Sequence, residues 1–306
     1  MNYKVVIFGN KSTTMRYIEH IHRQLIPIDL IVTVDSAKYE HAISGFGNVV
    51  ECAQSLGIPT MIVDDYSLRS PECMAFFSSN EFDLGISVGW QRLIPQAVLS
   101  RFQTGVFGFH GSPGHLPYGR GRSPLNWSII KGHTRFLNNL FMYNEEADRG
   151  GIHSIKVFEI NEFDTMESLH YKTVLVGLEQ VAELIKDYRK HSIFLEPQRS
   201  NLSTWYPKRT PEDGKISLLS STKEIYNLVR GVSRPFPGAF LHSADQKKLI
   251  IWEAVPFDAF IDTSKYLVGE VIAAFEAQFV MKTVDGSILV KKYDYPGVVK
   301  QHDLFS

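Results

Sequence analysis

This sequence predicts a doubly wound, mainly parallel α/β domain followed by a smaller C-terminal β-barrel. Three observations carry the prediction. Short β-type runs alternate with helix-compatible segments through the first hundred residues; a polar stretch broken by Pro197 and Pro207 spans residues 196–210; and a further set of β-type runs follows it. The early strands are read at 4–8, 29–34, 59–63 and 83–88. Helices at 13–24, 47–56 and 68–79 fall between them, each with apolar residues at helical spacing and each flanked by turn or capping residues. A fifth strand at 105–110 leads into a Gly/Pro-rich loop at 111–124, a helix at 124–131, and strands at 136–143 and 152–160. The longest helical pattern, 165–189, carries Leu169, Val174, Leu175, Leu178, Val181, Leu184 and Ile185 at helical spacing and closes the first domain.

The expected organisation is a catalytic α/β domain over 1–195, a linker over 196–210 and a C-terminal domain over 211–306. In the C-terminal part, Ser221 and Glu224 have the spacing of a capping box opening a helix to about Val232. Strands are read at 239–241, 249–254, 267–273, 279–283 and 287–292.

Composition narrows the function. The 306 residues are 44% hydrophobic, and 32 Lys plus Arg against 33 Asp plus Glu leave a formal net charge of -1, so a nucleic-acid role would need a local basic patch. Cys52 and Cys73 are the two cysteines, too few for a disulfide framework or paired CxxC knuckles, which fits a reducing, cytoplasmic setting. No apolar stretch approaches the eighteen or so residues that a membrane span requires. The first strand is followed by Gly9, Asn10, Lys11, Ser12 and Thr13 rather than GxGxxG, and GxxxxGK[ST] is absent, which argues against a dinucleotide or a P-loop nucleotide. Scattered histidines such as His115 and His153 are weak as metal ligands, and no metal is expected.

The densest reactive cluster lies beyond the fifth strand: Gly108, His110, Ser112, His115, Tyr118, Arg120, Arg122, Asn126 and Trp127. In open α/β sheets ligands collect at the carboxyl ends of strands. A histidine there, next to arginines, suits a general base beside an anionic substrate, and a plain surface loop fits the same spacing equally well. Asp148, in the run Glu145-Glu-Ala-Asp-Arg-Gly-Gly151, reads on spacing alone more readily as an ordinary acidic turn than as a catalytic carboxylate.

Taken together, His110-Gly-Ser112, Leu116-Pro117, the run Arg120-Gly-Arg-Ser-Pro-Leu-Asn-Trp127, Gly132 and Ala147-Asp148-Arg-Gly150 resemble the folate-dependent formyltransferase family. Downstream, the run from Tyr206 to Asp213 and the run from Val229 to Phe240 resemble the start and the helix-to-strand corner of that family's OB-like C-terminal domain. The sequence is most similar to the branch that formylates sugar-nucleotide amines, the enzyme of UDP-4-amino-4-deoxy-arabinose in lipopolysaccharide biosynthesis among them.

The resemblance implies a Rossmann-like catalytic domain, 10-formyltetrahydrofolate as co-substrate and a primary amine as acceptor. His110 falls on the catalytic histidine and Asp148 on the catalytic aspartate; Ser87, Val88, Gly89, Trp90, Arg92, Leu93 and Ile94 fall where the folate lies. Gly108, Ser112, His115, Tyr118, Arg120, Arg122, Asn126 and Trp127 are the expected substrate contacts. Aromatic Tyr118, Trp127 and Trp90 are suited to stack on a base or sugar while Arg120 and Arg122 meet phosphates. Core packing is an equal reading of Trp127.

The chain departs from the family at one position. The family places Asn two residues before the histidine, where it donates to the oxyanion of the tetrahedral intermediate, and this chain has Gly108. A backbone N–H of the glycine-rich loop or a neighbouring Asn would have to take over, or activity has been lost or changed. An apparent two-residue expansion at Gly114 and His115 is expected to bring His115 toward the site.

Formylation of methionyl-tRNA is disfavoured, since residues 205–306 hold thirteen Lys plus Arg against twelve Asp plus Glu. The same residues also fit hydrolysis of formyl-folate, with water as acceptor, or a non-catalytic folate- or nucleotide-binding homologue. The C-terminal domain is a candidate for substrate recognition or a homodimer interface.

Overall fold

The computed structural model describes residues 2–39, 45–198 and 203–306, and residues 199–202 of the expected linker lie outside them. The chain forms two compact units. The first comprises Met1–Gly121, Phe136–Phe158 and His170–Trp205; the second comprises Arg122–Arg135, Glu159–Leu169 and Tyr206–Ser306.

The first unit is built on seven strands: β1 (Asn2–Phe8), β2 (Leu30–Val34), β3 (Thr60–Val63), β4 (Glu81–Ser87), β5 (Phe102–Ser112), β7 (Arg135–Met142) and β8 (Ile152–Glu159), with a two-residue β6 (Arg120–Gly121) in the loop after β5. Their order across the sheet is β3-β2-β1-β4-β5-β7-β8. The first five run parallel, as buried crossover-connected strands do. β7 then runs antiparallel to β5, pairing Gly108 with Phe141 and His110 with Asn139. The reversal puts the start of β7 beside the carboxyl end of β5 and the end of β7 beside Phe107, and the turn after β7 brings Asp148 to His110.

Because side chains alternate along a strand, the sheet sorts its apolar residues onto two faces. Val5, Ile7, Ile31, Leu84, Ile86 and Phe107 pack with Tyr17, Ile18 and Ile21 near the first helix and with Val181, Leu184 and Ile185 of the long one. Val6, Phe8, Val32, Val106, Phe82 and Phe102 pack with Phe77, Val98 and Leu99 on the other side.

The helices in chain order are α1 (Ser12–His20), α2 (Ser36–Tyr39), α3 (Val49–Ser55), α4 (Pro71–Ser78), α5 (Gln96–Leu99), α6 (Pro124–Ile130), α7 (Met166–Arg189) and α8 (Thr222–Val232). Two of them begin or end away from the expected bounds. The helix expected at 13–24 is α-helical only to His20 and widens into a π turn at Ile21–Leu25, closed by Ile26 N–H donating to Ile21 O at 2.9 Å. The helix expected from 68 starts at Pro71, because Ser70 caps it by accepting from Cys73 N–H at 3.2 Å and Pro suits the first helical position.

The second unit contains α6, α8 and a five-stranded antiparallel sheet ordered β10-β11-β14-β13-β12, from β10 (Ala239–His242), β11 (Lys248–Asp258), β12 (Val271–Phe275), β13 (Gln278–Thr283) and β14 (Gly286–Asp294); β9 (Trp205–Tyr206) precedes it. Register shifts in the β11–β14 pairing bend the sheet locally. The strand expected at 267–273 begins later, since Glu270 N–H closes a turn on Leu267 O at 3.0 Å. The capping box of α8 is present, with Ser221 N–H donating to Glu224 Oε2 at 2.7 Å and Glu224 N–H to Ser221 Oγ at 3.3 Å. Ile225, Val229 and Val232 of α8 join Leu241, Ile251, Phe279, Met281 and Val290 in one core.

Among the described residues no helix is long and apolar enough to cross a membrane, and no group of three or more His, Cys, Asp or Glu is placed to hold a metal. Cys52 and Cys73 are buried and unpaired.

Candidate active site

β5 ends by delivering His110 to the carboxyl edge of the sheet, where the ring is 8% exposed. Its Nδ1 lies 3.2 Å from Asp148 Oδ1 and its Nε2 lies 2.9 Å from the carbonyl of Gly119. Both ring nitrogens therefore face acceptors. A neutral imidazole has one N–H and satisfies one of them, so the contact to Gly119 is the one an incoming amine must replace if Asp148 is to keep hold of the ring.

Asp148 sits on the turn after β7 in the left-handed region, φ 56°, which Asp tolerates better than most residues. Gly150 makes the tightness of that turn feasible: a Cβ there would lie 1.5 Å from Met142 O. Burial pushes the Asp148 carboxyl up, and the hydrogen bond and charge of His110, the Gly121 amide and the Arg120 guanidinium together outweigh it, holding the group below the usual carboxylate range. Gly121 N–H donates to Asp148 Oδ2 at 3.1 Å.

A half-buried brace holds this turn. Gln198 Nε2 donates to Asp148 O at 2.9 Å and to Gly150 O at 2.8 Å, and Gln198 Oε1 accepts from Arg120 at 2.6 Å. Arg120 is only 3% exposed, donates also to Ser203 Oγ at 3.4 Å, and lies over the Trp205 ring. Its surroundings assign it to bracing Asp148 within the first unit. Sequence reasoning missed Gln198 altogether, because nothing in a lone glutamine inside a Pro-broken stretch marks it as a partner of a turn fifty residues away.

Ser112 is fully buried and its hydroxyl donates to Tyr118 O; it also accepts from Gly114 N–H at 3.3 Å. The loop between them folds on itself, with Tyr118 N–H donating to His115 O at 2.9 Å, and leaves His115 exposed and Tyr118 40% exposed. Arg122, Asn126 and Trp127 belong to the second unit. There Arg122 is exposed, Asn126 is buried with Nδ2 donating to Gly231 O at 2.8 Å, and Trp127 stacks on Tyr206 at 6.2 Å while its Nε1–H donates to Pro207 O at 3.1 Å.

After β4 the chain runs through Ser87, Val88, Gly89 and Trp90. Arg92 and Leu93 are exposed and Ile94 is buried in the core. Several buried polar atoms here have no well-formed hydrogen bond: Ser87 Oγ, Trp90 Nε1 and, at the end of β1, Asn10 Oδ1. Asn10 Nδ2 donates to Tyr66, whose ring is packed edge-on to Trp90 at 4.9 Å. Buried polar atoms are nearly always paired in a completed structure, so this group has the character of a site that a polar heterocycle would fill.

At Gly108 the space beside the backbone is taken. A Cβ built there would meet Tyr143 Oη at 2.2 Å and Cζ at 2.3 Å. Burial pushes the Tyr143 phenol up to about 12, Asp148's charge adds to this, and Ser87's hydroxyl opposes it.

Comparison with known proteins places the chain in a family. The family model described as formyl transferase matches residues 1–183, and that described as formyl transferase, C-terminal domain, matches 208–300. Among solved structures, an N-formyltransferase from Helicobacter canadensis, in complex with folinic acid and dTDP-3-aminofucose, is 16% identical, with TM-score 0.69, over 95% of this chain and 100% of that one. Methionyl-tRNA formyltransferase from Clostridium thermocellum is 18% identical, with TM-score 0.58, over 83% of this chain and 93% of that one. HypX from Aquifex aeolicus is 18% identical, with TM-score 0.64, over 97% of this chain, which spans only 45% of HypX. With both family models matched in order along its length, the chain belongs to the formyl transferase family.

Proposed function

We propose that this protein transfers the formyl group of 10-formyltetrahydrofolate to the primary amine of a nucleotide-linked amino sugar. The observation that carries the reading is the His110–Asp148 pair at the end of β5, 3.2 Å apart and braced from behind. The orphaned polar atoms of Trp90 and Asn10 support a pterin as the neighbouring group, which Ser87, Val88, Gly89, Arg92, Leu93 and Ile94 would flank.

The amine nitrogen displaces the Gly119 carbonyl from His110 Nε2 and attacks the formyl carbon. A C–N bond forms, and the carbonyl π pair moves to oxygen. His110 takes a proton from the attacking nitrogen while Asp148 orients Nδ1 and offsets the charge of the imidazolium. Collapse of the intermediate restores the C=O bond and expels the folate nitrogen, which receives the proton from His110. Neither oxidant nor metal is required for the balance.

A sugar nucleotide is favoured over tRNA as acceptor. Exposed Tyr118 suits the face of a sugar, the Helicobacter relative was solved with a dTDP-amino sugar, and residues 205–306 carry almost no net charge. The setting is cytoplasmic, supplying formylated sugar for a lipopolysaccharide-type glycan, with the C-terminal unit available for homodimer formation.

The test is tetrahydrofolate release from 10-formyltetrahydrofolate in the presence of a panel of dTDP- and UDP-linked amino sugars. Release that depends on one amino sugar and disappears in His110→Asn supports the reading. Equal release with water alone would instead make the protein a formyl-folate hydrolase.

A further inference from the structure

We infer that the Tyr143 hydroxyl is the hydrogen-bond donor to the oxyanion formed when the amine attacks the formyl group. The inference rests on the reaction proposed above and adds a residue to its machinery. It begins with register. β5 and β7 are antiparallel with Gly108 opposite Phe141, and Tyr143 N–H donates to Val106 O at 2.7 Å, so Tyr143 continues the ladder on the same face as Gly108 and His110. Diagonal neighbours across an antiparallel pair lie within reach of an aromatic side chain. The ring takes that diagonal. Its hydroxyl arrives at the backbone of Gly108, where a Cβ would stand 2.2 Å away.

Gly108 pairs on its other side with Ser87 of β4, and Ser87 Oγ, which has no well-formed bond to another group, lies against the phenol. The hydroxyl thus sits on the strand carrying the base, two residues before it, between His110 and the orphaned polar atoms near β4. Ser87 Oγ lies against the phenol itself and Trp90 Nε1 lies with the unpaired atoms near β4, while four other side-chain donors around β5 and β7 are committed to protein groups. Asn139 Nδ2 donates to His110 O at 2.9 Å, Asn138 Nδ2 to Gln180 at 2.8 Å, Ser112 Oγ to Tyr118 O, and Asn10 Nδ2 to Tyr66. Among the described residues the Ser87 hydroxyl interacts with the Tyr143 oxygen, and no protein group takes the Tyr143 O–H as its donor. A phenol that stays protonated and is held by packing against Leu116, Phe141 and Ile152 is a preorganised donor, needing no rearrangement when charge develops. The side chain that the family carries at position 108 is thereby replaced from the neighbouring strand, and glycine is what leaves room for it.

The test compares wild type with Tyr143→Phe, which keeps the ring and removes the hydroxyl, using 10-formyltetrahydrofolate and the amino sugar that best supports wild-type turnover. The expected result is a fall in kcat of about a hundred- to a thousand-fold with the KM for the folate nearly unchanged, as for loss of one oxyanion donor. Gly108→Asn combined with Tyr143→Ala should recover activity over Tyr143→Ala alone, because the space is then free for an amide donor. Should Tyr143→Phe fold poorly, site-specific replacement of Tyr143 by a fluorotyrosine of lower pKa decides the question: activity should then fall at alkaline pH where wild type does not. Unchanged kcat in Tyr143→Phe, or an unaltered alkaline profile in the fluorotyrosine protein, overturns the inference. Absence of formyl transfer in wild type with every acceptor would instead remove the reaction itself, and the inference with it.

Discussion

Gly108→Ala is the sharpest steric test of the site. The added methyl would stand 2.2 Å from Tyr143 Oη, against an ordinary contact of 3.4 Å or more, so the phenol must retreat by more than an ångström. It has little freedom to do so. The Tyr143 ring is tilted against Phe141 at 5.1 Å, it packs on Leu116 and Ile152, and its amide is tied to Val106 O. Overpacking of this kind costs about 1–3 kcal/mol. Replacing glycine within a strand by alanine returns roughly 0.5–1 kcal/mol of backbone entropy, and the positive-φ strain that would forbid it elsewhere is absent here. The net expectation is a loss centred on about 1.25 kcal/mol, or a midpoint lower by about 2.5–5 °C for a unit of this size. Thermal unfolding of wild type, Gly108→Ala, Tyr143→Ala and the double variant measures it. In the Tyr143→Ala background the same Gly108→Ala change should be neutral or stabilising, since its obstacle is gone. A midpoint that rises on Gly108→Ala in the wild-type background would refute the placement of the phenol.

Asp148→Asn should keep the fold, because its amide oxygen can take the place of Oδ2 and accept from Gly121 N–H, and should lower kcat by about a hundred- to ten-thousand-fold in the formyl-transfer assay. The Asp148 carboxyl is held below its ordinary value in the folded protein, so its ionised form stabilises the fold above about pH 4 and that contribution vanishes as pH falls through the lowered value. The urea midpoint of wild type minus that of Asp148→Asn should accordingly shrink between pH 6 and pH 3; a constant difference would contradict the charge pairing. Gln198→Ala removes the bonds to Asp148 O, Gly150 O and Arg120 and should cost about 1–3 kcal/mol in denaturant unfolding, with kcat reduced about tenfold and KM little altered. His115→Ala should leave turnover within about twofold, because its ring is exposed on a loop closed through its own backbone; a large loss would mean that the loop carries it to the substrate.

The features legible in the sequence are those with local causes. The β1 to β3 runs are short stretches rich in Val and Ile, β4 is a short apolar run alternating with polar residues, and the Ser221–Glu224 box marks the start of α8 by its spacing alone. His110 and Asp148 are visible through their flanking motifs, and Gly108 stands out for what it lacks. Tyr143 is not visible in the same way. It closes an apolar run that reads as a strand, and only the reversal of β7 against β5 lays it over Gly108, a pairing that hydrophobic pattern does not specify. Arg120 misleads for the opposite reason. Two arginines in a glycine-rich loop look alike as phosphate ligands, yet Arg120 is buried against Gln198 and Trp205 whereas Arg122 is exposed, and burial is decided by residues more than seventy positions downstream. The same holds for Trp127, whose ring has a packing partner in Tyr206.

The most direct test of the central claim is single-turnover formyl transfer from 10-formyltetrahydrofolate to a nucleotide-linked amino sugar, followed in wild type and in His110→Asn. Stoichiometric formation of tetrahydrofolate and N-formyl sugar in wild type, abolished in His110→Asn, is the result predicted. Formyl sugar produced at the wild-type rate without the imidazole, or no formyl sugar from any amino sugar offered, would contradict it.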